Sequence, residues 1–154
     1  MYVIELIKAA VKSLKPVPVD ETGRSATRAV GDRAEEFALN FLRKERGFRL
    51  VEQSMSDEDG ELDLVGRVKK FEGLVVVEVR ARKVGGLKTP FESVNHSKQV
   101  QVVSTAERLL RRAGFHEILR YDVVGVWLDD ESKPIKAEHY PEAFDRSVTR
   151  KRRS

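Results

Sequence analysis

With 154 residues and 29 lysines and arginines against 25 acids, the chain carries a net charge of +4. Its length suits one domain that buries roughly two-thirds of its unfolded surface, and 40% hydrophobic against 35% charged residues is polar for a globular protein without being disordered. It has no cysteine, which excludes disulfides, a thiolate zinc site and a cysteine nucleophile, and points to a reducing, cytoplasmic setting.

Residues 2–14 place Val3, Leu6, Ile7, Ala10, Val11 and Leu14 at helical spacing, with Lys8, Lys12 and Lys15 elsewhere. Glu5 and Lys8 interrupt this apolar stretch and no small-residue cleavage site follows it, so it does not read as a signal peptide. It is also far short of the ~20 apolar residues that cross a bilayer. Pro16 and Pro18 end it, and a polar linker runs to about Arg28. Such a helix packs on its own domain, pairs with a second copy in a homodimer, or lies on a membrane surface. The first two are the more ordinary fates.

The main domain, residues 29–145, opens with a helix expected from about Asp32 to Arg46. Ala34, Phe37, Ala38, Phe41 and Leu42 form its apolar stripe, and Gly47 stops it. Phe48 to Gln53 reads as a strand, Met55 to Gly60 as an acidic turn, and Glu61 to Val68 as a second strand. After a turn over Lys69 to Gly73 comes the strongest strand, Leu74 to Arg82, whose valine run is apolar on both faces, as in a central buried strand. Thr89-Pro90-Phe91-Glu92 is a capping box with proline at the first helical position. A longer helix follows from about Ser97 to Ala113, with Val102 or Val103, Ala106, Leu109, Leu110 and Ala113 facing inward. Tyr121 to Leu128 is a further buried strand in which Trp127 belongs to the core, and Ile135 to Tyr140 reads as an edge strand. Tight turns make the first three strands antiparallel, and a helical crossover allows the next to be parallel. The expected fold is α/β: a mixed β-sheet flanked by helices in αβββαβ order.

Positive charge sits at the ends. Arg146 to Ser154 is a basic tail of +5, residues 1–28 carry +2, and the body carries −3. The tail is either a solvated end or a salt-dependent contact for phosphates.

Glu78 stands inside the valine run, and Asp63 lies between Leu62 and Leu64 on the preceding strand. Residues two apart share a strand face, so Glu78 and Arg80 point the same way, about 6.6 Å apart. A carboxylate buried there is costly unless it is paired or bound to a cation. Hairpin pairing brings Asp63 and Glu78 close, which raises one pKa unless a cation bridges them. Hard oxygen ligands suit magnesium or manganese. A buried salt bridge from Arg80 to one acid satisfies the same residues. His96, His116 and His139 are not spaced as ligands and read as surface or structural. No Gly-x-Ser-x-Gly and no phosphate-cradling loop is present.

Several pieces, in order, resemble the YraN-like family of small bacterial proteins, within the PD-(D/E)xK nuclease superfamily that also holds archaeal Holliday-junction resolvases. They are Gly31-x3-Glu35-x2-Ala38, Gly60-Glu61-Leu62-Asp63-Leu64-Val65 and Val77-Glu78-Val79-Arg80-Ala81-Arg82. Lys98, then Arg120-Tyr121-Asp122-Val123-Val124, His139 and Ala143-Phe144 complete the set. The resemblance covers Gly31 to Phe144 and implies a restriction-endonuclease-like core. It implies a metal-dependent endonuclease acting on nucleic acid, DNA before RNA, with branched DNA among the substrates. Asp63 and Glu78 match the metal-binding acids, and Glu35 matches an acid from the first helix that completes the shell or orients a water. Magnesium or manganese is the implied cofactor. Arg80 falls where the superfamily has lysine; it can stabilise charge but stays protonated and cannot serve as a base. Lys98 and Arg82 are the implied nucleic-acid contacts, with Glu61 a further candidate at the site.

Ser54, Ser56, Asp57, Glu58 and Asp59 place negative charge where the family has asparagine and arginine, and the body is acidic. These features support an alternative: a catalytically weak or inactive nuclease fold used as a nucleic-acid-binding or protein-interaction module.

Overall fold

The computed structural model describes residues 26–151, so the helix expected over 2–14 lies outside the described residues. Helix α1 runs from Ala26 to Arg46, starting earlier than the expected Asp32. Val30 packs on the core one turn ahead of Ala34, which outweighs the ~1 kcal/mol that Gly31 costs inside a helix. Ala34, Ala38, Leu39 and Leu42 form its buried stripe. Gly47 ends it with φ +61, the left-handed conformation that glycine adopts freely.

Strands β1 (Arg49–Asp57), β2 (Gly60–Val68) and β3 (Phe71–Lys83) follow as an antiparallel meander. A 3-10 turn over Phe91–Ser93 leads to helix α2 (His96–Arg112), then to strands β4 (Leu119–Leu128) and β5 (Pro134–Phe144), and a 3-10 turn at Arg146–Thr149. The five strands lie in chain order; β3–β4 is parallel and β5 pairs antiparallel to β4. Helix α2 supplies the crossover that a parallel pair requires. This is a mixed sheet flanked by helices, as expected, with β5 completing the far edge.

Two apolar layers sandwich the sheet. On the α1 side, Ala38 and Leu42 meet Leu64, Val75, Val77, Val124 and Val126. On the α2 side, Val102, Val103, Ala106 and Leu110 meet Leu62, Val65, Leu74, Val76 and Tyr121. Alternation along β3 sends Val75 and Val77 one way and Leu74 and Val76 the other, which accounts for the uninterrupted apolar run.

Three local expectations are corrected. The acidic turn is shorter than Met55–Gly60, because β1 continues to Asp57 and its carboxylate accepts the N–H groups of Asp59 and Gly60, each at 3.0 Å. Trp127 is only half-buried, since its cross-strand neighbours are Arg82 and Lys136. Ala113 is exposed, because α2 ends at Arg112 and Ala113 caps it. Of the basic tail, Arg146–Thr149 folds onto the domain: Val148 packs on the α2-side core and Arg146 pairs with Glu107 at 2.8 Å.

Candidate active site

The site begins where the sheet is least regular. Leu64 belongs to the α1-side core and Val65 to the α2-side core, as alternation demands, yet Leu62 also belongs to the α2 side. Leu62 and Leu64 would share a face in a regular strand, so the pleat breaks at Asp63. Towards β3, the register ends at Leu64↔Val77. Towards β1, Ser54 lies between the pairs Gln53↔Leu64 and Met55↔Leu62, opposite Asp63, and has φ 52. That conformation is uncommon outside glycine, asparagine and aspartate. At this break the Asp63 Oδ2 accepts the N–H of Val79 on β3 at 2.8 Å.

Glu78 lies on the other side of the parting. It shares the Val76 face, which packs on α2, and this is why a residue of α2 reaches it: Lys98 Nζ lies 3.4 Å from Glu78 Oε1. Lys98 is fixed in the first turn of α2, where its N–H donates to the Asn95 side chain at 2.9 Å. Arg80 Nε is 3.6 Å from the same oxygen, near enough for ion pairing but not for a hydrogen bond. The Arg80 Nε is buried and makes no hydrogen bond. A buried donor left in that condition costs about 1–3 kcal/mol and favours an acceptor from outside.

Helix α1 adds Glu35. It lines a cleft of about 290 Å³ together with Glu61, Asp63, Glu78, Arg80 and Arg82. Burial, followed by the charges of Glu61, Asp32 and Glu78, pushes Glu35 up to about 7. Burial also holds Asp63 well above the usual carboxylate range, reinforced by Glu78 and Glu35 and opposed by the Val79 N–H and Lys98. Asp63 is 4% and Glu78 2% exposed, so their repulsion is weakly screened. Burial and then the Arg80 charge lower Arg82 from the ordinary arginine value.

Five of the six residues selected from sequence therefore line one cleft, and Lys98 joins them through Glu78. Among the described residues, no three His, Asp or Glu side chains are grouped so as to hold a metal ion by themselves. The donor chemistry of Asp63 and Glu78 nonetheless fits a hard divalent cation: two buried carboxylates that repel each other, next to an open cleft. The acidic segment is less of an obstacle to an anionic ligand than its sequence suggests. Arg108 grips Asp57 with two hydrogen bonds of 2.6 and 2.9 Å, and this pairing holds Asp57 down to about 2.

Sequence reasoning missed the kink at Ser54, which lines the cleft. Serine carries no signal for a positive φ. Asp32 was likewise not singled out, although the expected helix already placed it one turn before Glu35, whose charge it opposes.

A five-stranded mixed sheet between helices, with buried acids on its two parted strands, defines an α/β domain with a restriction-endonuclease-like core. The family described as "Uncharacterised protein family UPF0102" matches residues 34–126, a span that includes all six selected positions. A UPF0102 protein of Rhodopirellula baltica is 36% identical over 118 residues, 75% of this chain and 70% of the relative. One of Anaeromyxobacter dehalogenans is 40% identical over 119 residues, 77% and 85% of the two chains. One of Trichlorobacter lovleyi is 36% identical over 120 residues, 77% and 91%. The chain belongs to the UPF0102 family, the YraN-like family that its motifs resemble. Among the described residues no helix is long and apolar enough to cross a membrane.

Proposed function

We propose that this cleft is the active site of a metal-dependent endonuclease that hydrolyses phosphodiester bonds in nucleic acid, with DNA as its substrate. One observation carries the reading: Asp63 and Glu78, buried and mutually repelling, lie where two strands part, beside a buried arginine Nε that is ion-paired with Glu78 but makes no hydrogen bond. Magnesium is commonly held by one or two carboxylates plus substrate oxygens rather than by a full protein cage, so this pair suffices. Glu35, on the helix across the cleft, completes the shell or orients a water. Magnesium or manganese held there would polarise the phosphodiester and activate water for attack.

The chain's own cations do the rest. Arg80 offers its Nε, which makes no hydrogen bond, to a phosphate oxygen and stabilises the charge that grows on it in the transition state. Being always protonated, it takes no proton from water. Lys98 offsets part of the Glu78 charge and stands ready as a phosphate contact, and Arg82 extends the positive wall of the cleft.

A second reading, a nuclease fold that binds nucleic acid or a protein without cleaving, is favoured by two features. Lys98 and Arg80 already compensate Glu78, and among the described residues no third acid joins Asp63 and Glu78 as a ready-made ligand set. A cleavage assay on labelled single-stranded, duplex, flapped and four-way-junction DNA with magnesium or manganese separates the two. Cleavage by the wild type that is lost in Asp63→Asn and Glu78→Gln is the expected result. No cleavage, or equal cleavage by all three proteins, would refute the nuclease reading.

A further inference from the structure

Strand β3 runs past the cleft through Arg80, Ala81, Arg82 and Lys83 and then turns out of the sheet. The Lys83 carbonyl accepts the Gly86 N–H at 3.2 Å, closing a four-residue turn whose third residue, Gly85, has φ +80. The root of the turn is anchored, because the Val84 N–H donates at 3.0 Å to the carbonyl of Leu128, which itself lines the cleft. Beyond this anchor Leu87 stands fully exposed, at 106% of its reference area, with Val84 at 58%. Residues 80–88 contain Arg80, Arg82, Lys83 and Lys88 and no acid, in a body whose net charge is −3.

We propose that loop 84–88 is a wedge that enters nucleic acid beside the cleft, with Leu87 inserted between neighbouring bases while Lys83 and Lys88 hold the flanking phosphates. Apolar side chains that separate base steps, with cations on the backbone alongside, are an established way to open or kink a strand. An exposed leucine between two lysines also fits an anionic lipid surface. Continuity of the loop with Arg80 and Arg82, in a cleft read as a phosphodiester site, is what selects nucleic acid. The inference rests on that reading and narrows it. Inserting Leu87 costs least where stacking is already interrupted, so gapped, flapped or branched strands bind in preference to continuous duplex.

The test is binding by the full chain, first without divalent metal and then with calcium, to flapped and continuous duplexes carrying 2-aminopurine at the discontinuity or its equivalent. Wild type is expected to raise the fluorescence of the flapped probe several-fold as bases unstack. Leu87→Ser, at a position without packing partners to lose, removes that rise while changing Kd less than about tenfold. Lys83→Gln with Lys88→Gln weakens binding to both probes alike and lowers the salt slope by about 2. An equal rise with Leu87→Ser would overturn the wedge. So would a Leu87→Ser defect confined to self-association or to binding of phosphatidylserine vesicles. Failure to bind any DNA would overturn both the wedge and the nuclease reading. A Leu87-dependent rise without cleavage in manganese would leave the wedge standing and remove the nuclease reading alone.

Discussion

The Asp63 carboxylate accepts the Val79 N–H at 2.8 Å, tying two strands together at the point where their register has ended. The bond needs an acceptor but not a charge, and burial and the neighbouring acids oppose the charge. Asparagine keeps the acceptor and removes the repulsion. Asp63→Asn is therefore expected to raise stability at pH 8 by about 1–2 kcal/mol in urea unfolding while abolishing the proposed cleavage, an exchange common where function needs an unfavourable charge. A fall in stability would mean that Lys98 depends on the Asp63 charge more than Glu78 suffers from it.

Glu35 titrates near 7 in the folded chain against an ordinary value of 4.5. Between those values the folded state binds a proton that the unfolded state has released. Stability therefore falls as pH rises from about 4.5 to about 7 and is flat above that for this group. Glu35→Gln should remove this part of the decline and stabilise the protein at pH 8 by on the order of 1–3 kcal/mol, reduced by the partial exposure of the site. Urea midpoints at pH 5, 6, 7 and 8 for both proteins give the comparison, and an unchanged slope in the variant would contradict the assignment.

Asp122, 1% exposed on β4, accepts four hydrogen bonds from three residues: two from Arg120 at 2.9 and 2.8 Å, one from His139 Nε2 at 2.8 Å and one from the Glu142 N–H at 3.0 Å. His139 Nδ1 in turn accepts from Arg46 Nε at 3.2 Å, so the ring carries its proton on Nε2. This network pins β5 and the end of α1 to β4, and none of its members lines the cleft. Asp122→Ala is expected to cost about 3–5 kcal/mol by stranding buried donors. A cost below about 1 kcal/mol in thermal or urea unfolding would show that water replaces the carboxylate.

What the sequence revealed followed periodicity and burial cost. The stripe of α1, the two-faced valine run of β3 and the crossover helix α2 are local patterns, and each was legible. The capping box formed reciprocally: Thr89 N–H donates to Glu92 at 3.0 Å and Glu92 N–H to Thr89 at 3.2 Å. Asp63 and Glu78 stood out because carboxylates among core aliphatics demand a reason. What stayed hidden depends on which distant segments meet. Arg108 neutralises Asp57 across 51 positions, and Trp127 is kept half-exposed by neighbours on two other strands. That no third acid among the described residues converges on the pair is likewise a matter of tertiary distance, which no spacing rule conveys.

The most direct test of the carboxylate pair as a metal centre is a manganese titration followed by electron paramagnetic resonance, on wild type, Asp63→Asn and Glu78→Gln at pH 8. Saturable binding to the wild type is expected, lost or weakened at least tenfold in both variants, with all three proteins folded by circular dichroism. Equal binding by all three, or none by a folded wild type even with a short DNA strand present, would contradict it.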